Sequence, residues 1–136
     1  IDKEFPDVEI VQEEIVQKAT TEEALTIMEN IIQSISDLDG VFTTGDIFAI
    51  GIASALQANG YAPGEVKVTS IDGTNNALDL IKNGYLHTTA AQLPRQLGIE
   101  GVKNALSYLK GEPFEKWMEL ECKEINAETM EGYVGF

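Results

Sequence analysis

The chain is poor in the side chains on which most enzyme chemistry depends. It holds one histidine, His87, one arginine, Arg95, and one cysteine, Cys122. No spacing of Cys, His and acidic residues matches a metal site, and no nucleophile has a neighbouring base to activate it. An enzyme is therefore not expected, and neither is a metal or another cofactor. A lone cysteine excludes an internal disulfide. Within Met118-Glu119-Leu120-Glu121-Cys122 the alternation places it on the apolar face of a strand, as a small core thiol. A glycine-rich phosphate loop is absent too, because the stretch from Gly45 to Gly51 lacks the lysine and the intermediate glycines.

Positive charge is scarce. Nine basic residues stand against 23 acidic ones, for a formal net charge of -14, which repels phosphate backbones and anionic lipid alike. Nucleic acid is not an expected partner. No apolar run approaches the roughly 20 residues that span a bilayer, so a soluble chain is expected. Ile1 stands where a native start would carry Met, and residues 2–6 read like the tail of an earlier helix, as in a processed or excised piece.

What is present, at 43% apolar residues, is ample for a core. Val8-Glu9-Ile10-Val11 is short and β-branched after Pro6-Asp7, and reads as a first strand. Thr20 to Glu23 forms a capping box, opening a helix with Ala24, Met28, Ile31, Ile32 and Ile35 on one face. Val41 to Thr44 is a second strand, followed by a helix with Phe48, Gly51, Ala55 and Leu56 on its buried stripe and Asn59-Gly60 at its end. Val66 to Ile71 is a third strand and ends at Asp72-Gly73. Thr74 caps a short helix that stops at Asn83-Gly84. Leu86 to Ala91 is a fourth strand, and Pro94 opens a long helix that closes at Gly111. A last strand covers about Trp117 to Ile125.

Strands and helices alternating at this spacing predict an α/β fold, a mostly parallel sheet with helices on both faces. Ligands of such open sheets bind beyond the carboxyl ends of the strands. The residues expected there are Thr44-Gly45-Asp46, Asp72-Gly73-Thr74 and Gln92. Asp72 ends an apolar strand, where a carboxylate is costly unless it meets donors, and sugar hydroxyls are such donors. Gln92 carries a donor and an acceptor on one planar group, so it reads a hydroxyl in either role. Asp46, just before Ile47, reads as the cap of its helix. His87 lies early in a strand and reads as a packed or surface side chain.

Four stretches, in this order, carry a family resemblance: Gly40-Val41-Phe42-Thr43-Thr44-Gly45-Asp46, Ile71-Asp72-Gly73-Thr74, Thr88-Thr89-Ala90-Ala91-Gln92-Leu93-Pro94 and Leu109-Lys110-Gly111-Glu112. Together they resemble the ribose-type, type I periplasmic binding proteins that serve ABC sugar transporters, and they match the carboxyl-terminal half. The resemblance implies a flavodoxin-like lobe and a cleft that closes on a small sugar or polyol. It also implies delivery to a membrane permease and an extracytoplasmic location, in a periplasm or as a cell-surface lipoprotein. Carried over, Asp72 and Gln92 match ligand-binding positions. Gly45 stands where the family commonly has asparagine, and Lys18 or Ala19 where a ligand-facing side chain often precedes the first long helix.

On this reading residues 1–92 form the second lobe, incomplete at its start. Residues 93–111 form a helix that packs on an absent first lobe, and 112–136 a returning strand and chain end. A strand between Val8–Val11 and Val41–Thr44 would be missing, so a complementary chain or a swapped copy is expected to complete the sheet. Two other readings stay open: the effector-sensing domain of a lactose-repressor-type regulator, and an engineered lobe fragment with no ligand.

Overall fold

The computed structural model describes residues 4–136. The elements run α1 (Thr21–Ser34), β1 (Gly40–Phe42), α2 (Asp46–Ala58), β2 (Lys67–Asp72), α3 (Asn75–Lys82), β3 (Thr88–Ala91), α4 (Pro94–Lys110) and β4 (Lys123–Asn126). They build a four-stranded sheet in the order β1-β2-β3-β4. The β1–β2 and β2–β3 pairings are parallel, with Val41 beside Val68 and Ser70 beside Thr89, and β4 runs antiparallel to β3. The α/β class and the mostly parallel sheet agree with the alternation in the sequence.

Helix starts follow local chemistry. Thr20 accepts a hydrogen bond from the Glu23 amide at 3.2 Å, while the Glu23 carboxylate turns to the Lys18 amide at 2.6 Å. Thr74 accepts from the Ala77 amide in the same way, and Pro94 occupies the first turn of α4. Stops follow it too: Gly60, Gly84 and Gly111 take left-handed φ values of 82°, 78° and 70°.

One face of the sheet is sealed by Val68, Ser70, Thr89, Ala91 and Ile125, all buried. The core joins these to Met28 of α1, Ala49, Ile52, Ala55 and Leu56 of α2, and Ala77, Leu78 and Ile81 of α3. At Gly51 the backbones of α1 and α2 touch. An added Cβ there would overlap the Thr21 carbonyl oxygen and lie 2.8 Å from the Leu25 amide nitrogen, so only hydrogen fits.

Three expectations fail. Val8–Val11 is not a strand: the segment from Val8 to Val16 runs without ladder partners, and Val8, Ile10 and Val11 are each at least half exposed. A strand exists only as part of a ladder, and none of the described strands lies beside this segment. The last strand begins at Lys123, not near Trp117. Lys123 pairs with Ala91, the final residue of β3, so anything earlier runs past the end of its partner and Trp117 stays 81% exposed. Cys122, one residue short of the ladder, is consequently exposed and not a core thiol.

The helix α4 is amphipathic yet buries no residue. Leu97, Val102, Leu106 and Leu109 of its apolar stripe are all exposed. The outer edge of β1 is likewise unpaired among the described residues.

Candidate functional site

The carboxyl ends of β2 and β3 bring two polar side chains together. Gln92 follows β3 directly, and its Nε2 donates to Oδ1 of Asp72 at 2.9 Å, while its backbone amide donates to the Asp72 carbonyl at 2.9 Å. The second carboxylate oxygen of Asp72 accepts from the Asp46 amide, at the amino end of α2, at 3.4 Å. That helix end carries partial positive charge and suits a carboxylate. Both Asp72 and Gln92 are half-buried, so the pair lies at the mouth of the sheet and not inside the core. The three residues expected to form a site, Gly45, Asp72 and Gln92, are thus neighbours.

Gly45 is the N-cap of α2 and caps it with no side chain. A Cβ built on it would stand 3.4 Å from Oδ2 of Asp72 and 3.5 Å from the Phe48 ring, ordinary contact distances. Glycine here therefore leaves space beside the carboxylate that a larger residue would fill. Asp72 has φ 128°, a region that a non-glycine residue occupies only when its surroundings hold it there, at a cost of about 1–3 kcal/mol.

The surroundings that hold it centre on Asp46, and here the sequence misleads. Asp46 does not cap its own helix; it sits one position inside, is 1% exposed and points across to the other strands. Its Oδ1 accepts from the Ser70 hydroxyl and, at 2.8 Å, from the Thr89 hydroxyl. Its Oδ2 accepts from the amides of Gly73 at 2.9 Å and Thr74 at 2.7 Å, and from the Thr74 hydroxyl at 3.0 Å. One buried carboxylate thus ties α2 to β2, β3 and the start of α3, satisfied by hydrogen bonds as a buried charge must be. A signal was available: Ser70 and Thr89 are register partners on the buried face, and paired hydroxyls there need an acceptor.

Other singled-out residues lie elsewhere. His87 is exposed just before β3, and its amide donates to the Val68 carbonyl at 2.7 Å. Lys18 and Ala19 are exposed, and Ala19 has φ 52°. Among the described residues no group of three or more His, Cys, Asp or Glu could hold a metal ion.

Open α/β sheets take ligands beyond the carboxyl ends of their strands, the end at which Asp72 and Gln92 lie. The family model for the periplasmic binding protein domain matches residues 1–113. The chain belongs to the periplasmic binding protein family. The ribose import binding protein RbsB of Salmonella typhimurium is 37% identical over 101 residues, which cover 74% of this chain and 33% of that protein. A periplasmic solute binding protein of an ABC transporter from Actinobacillus succinogenes, solved with bound D-allose, superposes with a TM-score of 0.86 at 27% identity, over 96% of this chain and 46% of that one. A periplasmic ribose ABC transporter protein from Conexibacter woesei gives 0.84 at 28% identity, over 95% and 46%. This periplasmic binding protein chain spans about a third of the length of the curated relatives it matches. The family is one of solute-binding proteins and not of enzymes, and relatives that serve import disfavour the regulator reading. No helix among the described residues is long and apolar enough to cross a membrane.

Proposed function

We propose that the chain is the carboxyl-terminal lobe of a two-lobed protein that captures a small sugar or polyol outside the cytoplasm and passes it to an ABC-type permease. Asp72 and Gln92, with the space beside Gly45, form one wall of the ligand cleft. The observation that carries this reading is the hydrogen-bonded Asp72–Gln92 pair: a carboxylate that accepts and an amide that both donates and accepts match adjacent hydroxyls of a neutral ligand. Relatives named for ribose import, and a neighbour that holds D-allose, support it.

The test is a thermal-shift panel of D-ribose, D-allose and D-arabinose on the complete protein, with mass spectrometry of any small molecule carried through purification. A sugar at 100 times its Kd should raise stability by about 2.7 kcal/mol. No shift with any sugar and no carried hydroxylated molecule would refute the reading.

In the same proposal the apolar face of α4 and the open edge of β1 are covered by the rest of the protein, a complementary chain or a swapped copy. Leu97, Val102, Leu106 and Leu109 then exchange water for another lobe, each burial worth up to about 1.5–3 kcal/mol. Residues 1–136 alone should therefore self-associate in sedimentation velocity. A monodisperse monomer with a sharp two-state melt would contradict this.

A further inference from the structure

We propose that Tyr133 is a positioning residue of the ligand site. Its hydroxyl, donated to the Gly73 carbonyl, holds the Asp72-Gly73-Thr74 turn in the conformation that faces the Asp72 carboxylate toward Gln92. The consequence for capture rests on the function proposed above.

The chain leaves β4 at Asn126, beside Thr88 at the start of β3, and then doubles back across the sheet to the opposite end. There the Tyr133 hydroxyl donates to the Gly73 carbonyl at 2.9 Å, and the Phe136 carbonyl accepts from the Asn75 amide at 3.4 Å. Gly135 lies flush on the turn: an added Cβ would sit 2.5 Å from the Asn75 amide nitrogen. Gly73 is held between two surfaces, since a Cβ on it would lie 2.5 Å from both the Ala91 Cβ and the Tyr133 hydroxyl oxygen.

Four backbone polar atoms of the turn at the strained Asp72 are engaged from three other parts of the chain. The Asp72 carbonyl meets the Gln92 amide, the Gly73 and Thr74 amides meet Asp46, and the Gly73 carbonyl meets Tyr133. Tyr133 is the only member of this set supplied by the segment after β4, and the only donor to the Gly73 carbonyl among the described residues. Partial burial and the neighbouring Asp46 carboxylate push the phenol above its usual pKa, so it keeps its proton across the neutral range. The ring also carries Lys123 at 5.8 Å, a contact that Tyr133→Phe retains.

The test uses Tyr133→Phe in the complete protein, with Tyr133→Ala as the harsher variant and D-ribose, D-allose and D-arabinose as probes. Hydrogen exchange of the Gly73 and Thr74 amides should quicken several-fold in Tyr133→Phe, while exchange in α1 stays unchanged. Affinity for whichever sugar binds should fall roughly two- to tenfold, the equivalent of one hydrogen bond, and this loss should vanish in an Asp72→Ala background. A purely structural tyrosine would lower the melting temperature without that coupling. Unchanged exchange at the turn, or an equal affinity loss with and without Asp72, overturns the proposal. If the unmodified protein binds none of the sugars, the sugar reading falls, and the exchange measurement still decides whether Tyr133 holds the turn.

Discussion

Replacing Asp46 by alanine is expected to destabilise the protein by about 3–5 kcal/mol, a large part of the stability of a domain this size. The carboxylate is 1% exposed and accepts five hydrogen bonds from four residues. Alanine would remove the acceptor and keep the donors buried, and each unsatisfied buried donor costs about 1–3 kcal/mol. Not every cost is realised in full, because the Ser70 and Thr89 hydroxyls can rotate and the Gly73 amide also reaches the Thr89 hydroxyl at 3.2 Å. The Thr74 amide has no such alternative among the described residues. Asp46→Asn keeps the shape but turns an amide donor toward these donors, so it should fall between the parent and alanine. Urea unfolding without sugar measures both variants. A loss below about 1 kcal/mol for Asp46→Ala would show that the strand ends do not depend on this hub.

The parts of the fold that were legible in the sequence are those set by local rules. Thr20, Thr74 and Pro94 open helices where capping chemistry says they should, and Gly60, Gly84 and Gly111 end them. The strands β2 and β3 follow from short runs of β-branched and small residues between turn residues. The elements misread depend on partners far along the chain. Val8–Val11 has strand composition, but composition supplies no neighbour to pair with. The run from Trp117 to Cys122 alternates like a strand, yet β3 ends at Ala91 and leaves it nothing to join.

The site divides in the same way. Asp72 stands out because it ends a strand, and Gln92 because an amide that donates and accepts follows the next one directly, so both positions are readable from the strand pattern. From sequence alone Asp46 reads as a cap, because aspartate before an apolar helix usually is one. Its true role requires knowing that Ser70 and Thr89 meet in register, which no local pattern states. Tyr133, 60 residues from Gly73, was invisible for the same reason.

The second large effect is on ligand binding. Asp72→Ala removes a half-buried carboxylate proposed to accept from ligand hydroxyls. A hydrogen bond to a charged group contributes about 1.5–3 kcal/mol, so affinity should drop roughly tenfold to hundredfold. Folding should suffer less than in Asp46→Ala, because Asp72 sits in a strained φ of 128° and is partly open to water. Gln92→Ala should also weaken binding. Since Nε2 of Gln92 already donates to Asp72, the two losses should not add.

Calorimetric titration of the sugar identified by the panel into the complete protein, Asp72→Ala, Gln92→Ala and the double variant therefore tests the cleft wall most directly. A clear loss is expected in each single variant, with a double loss smaller than their sum. Unchanged affinity in both single variants would place the ligand somewhere other than at the ends of β2 and β3.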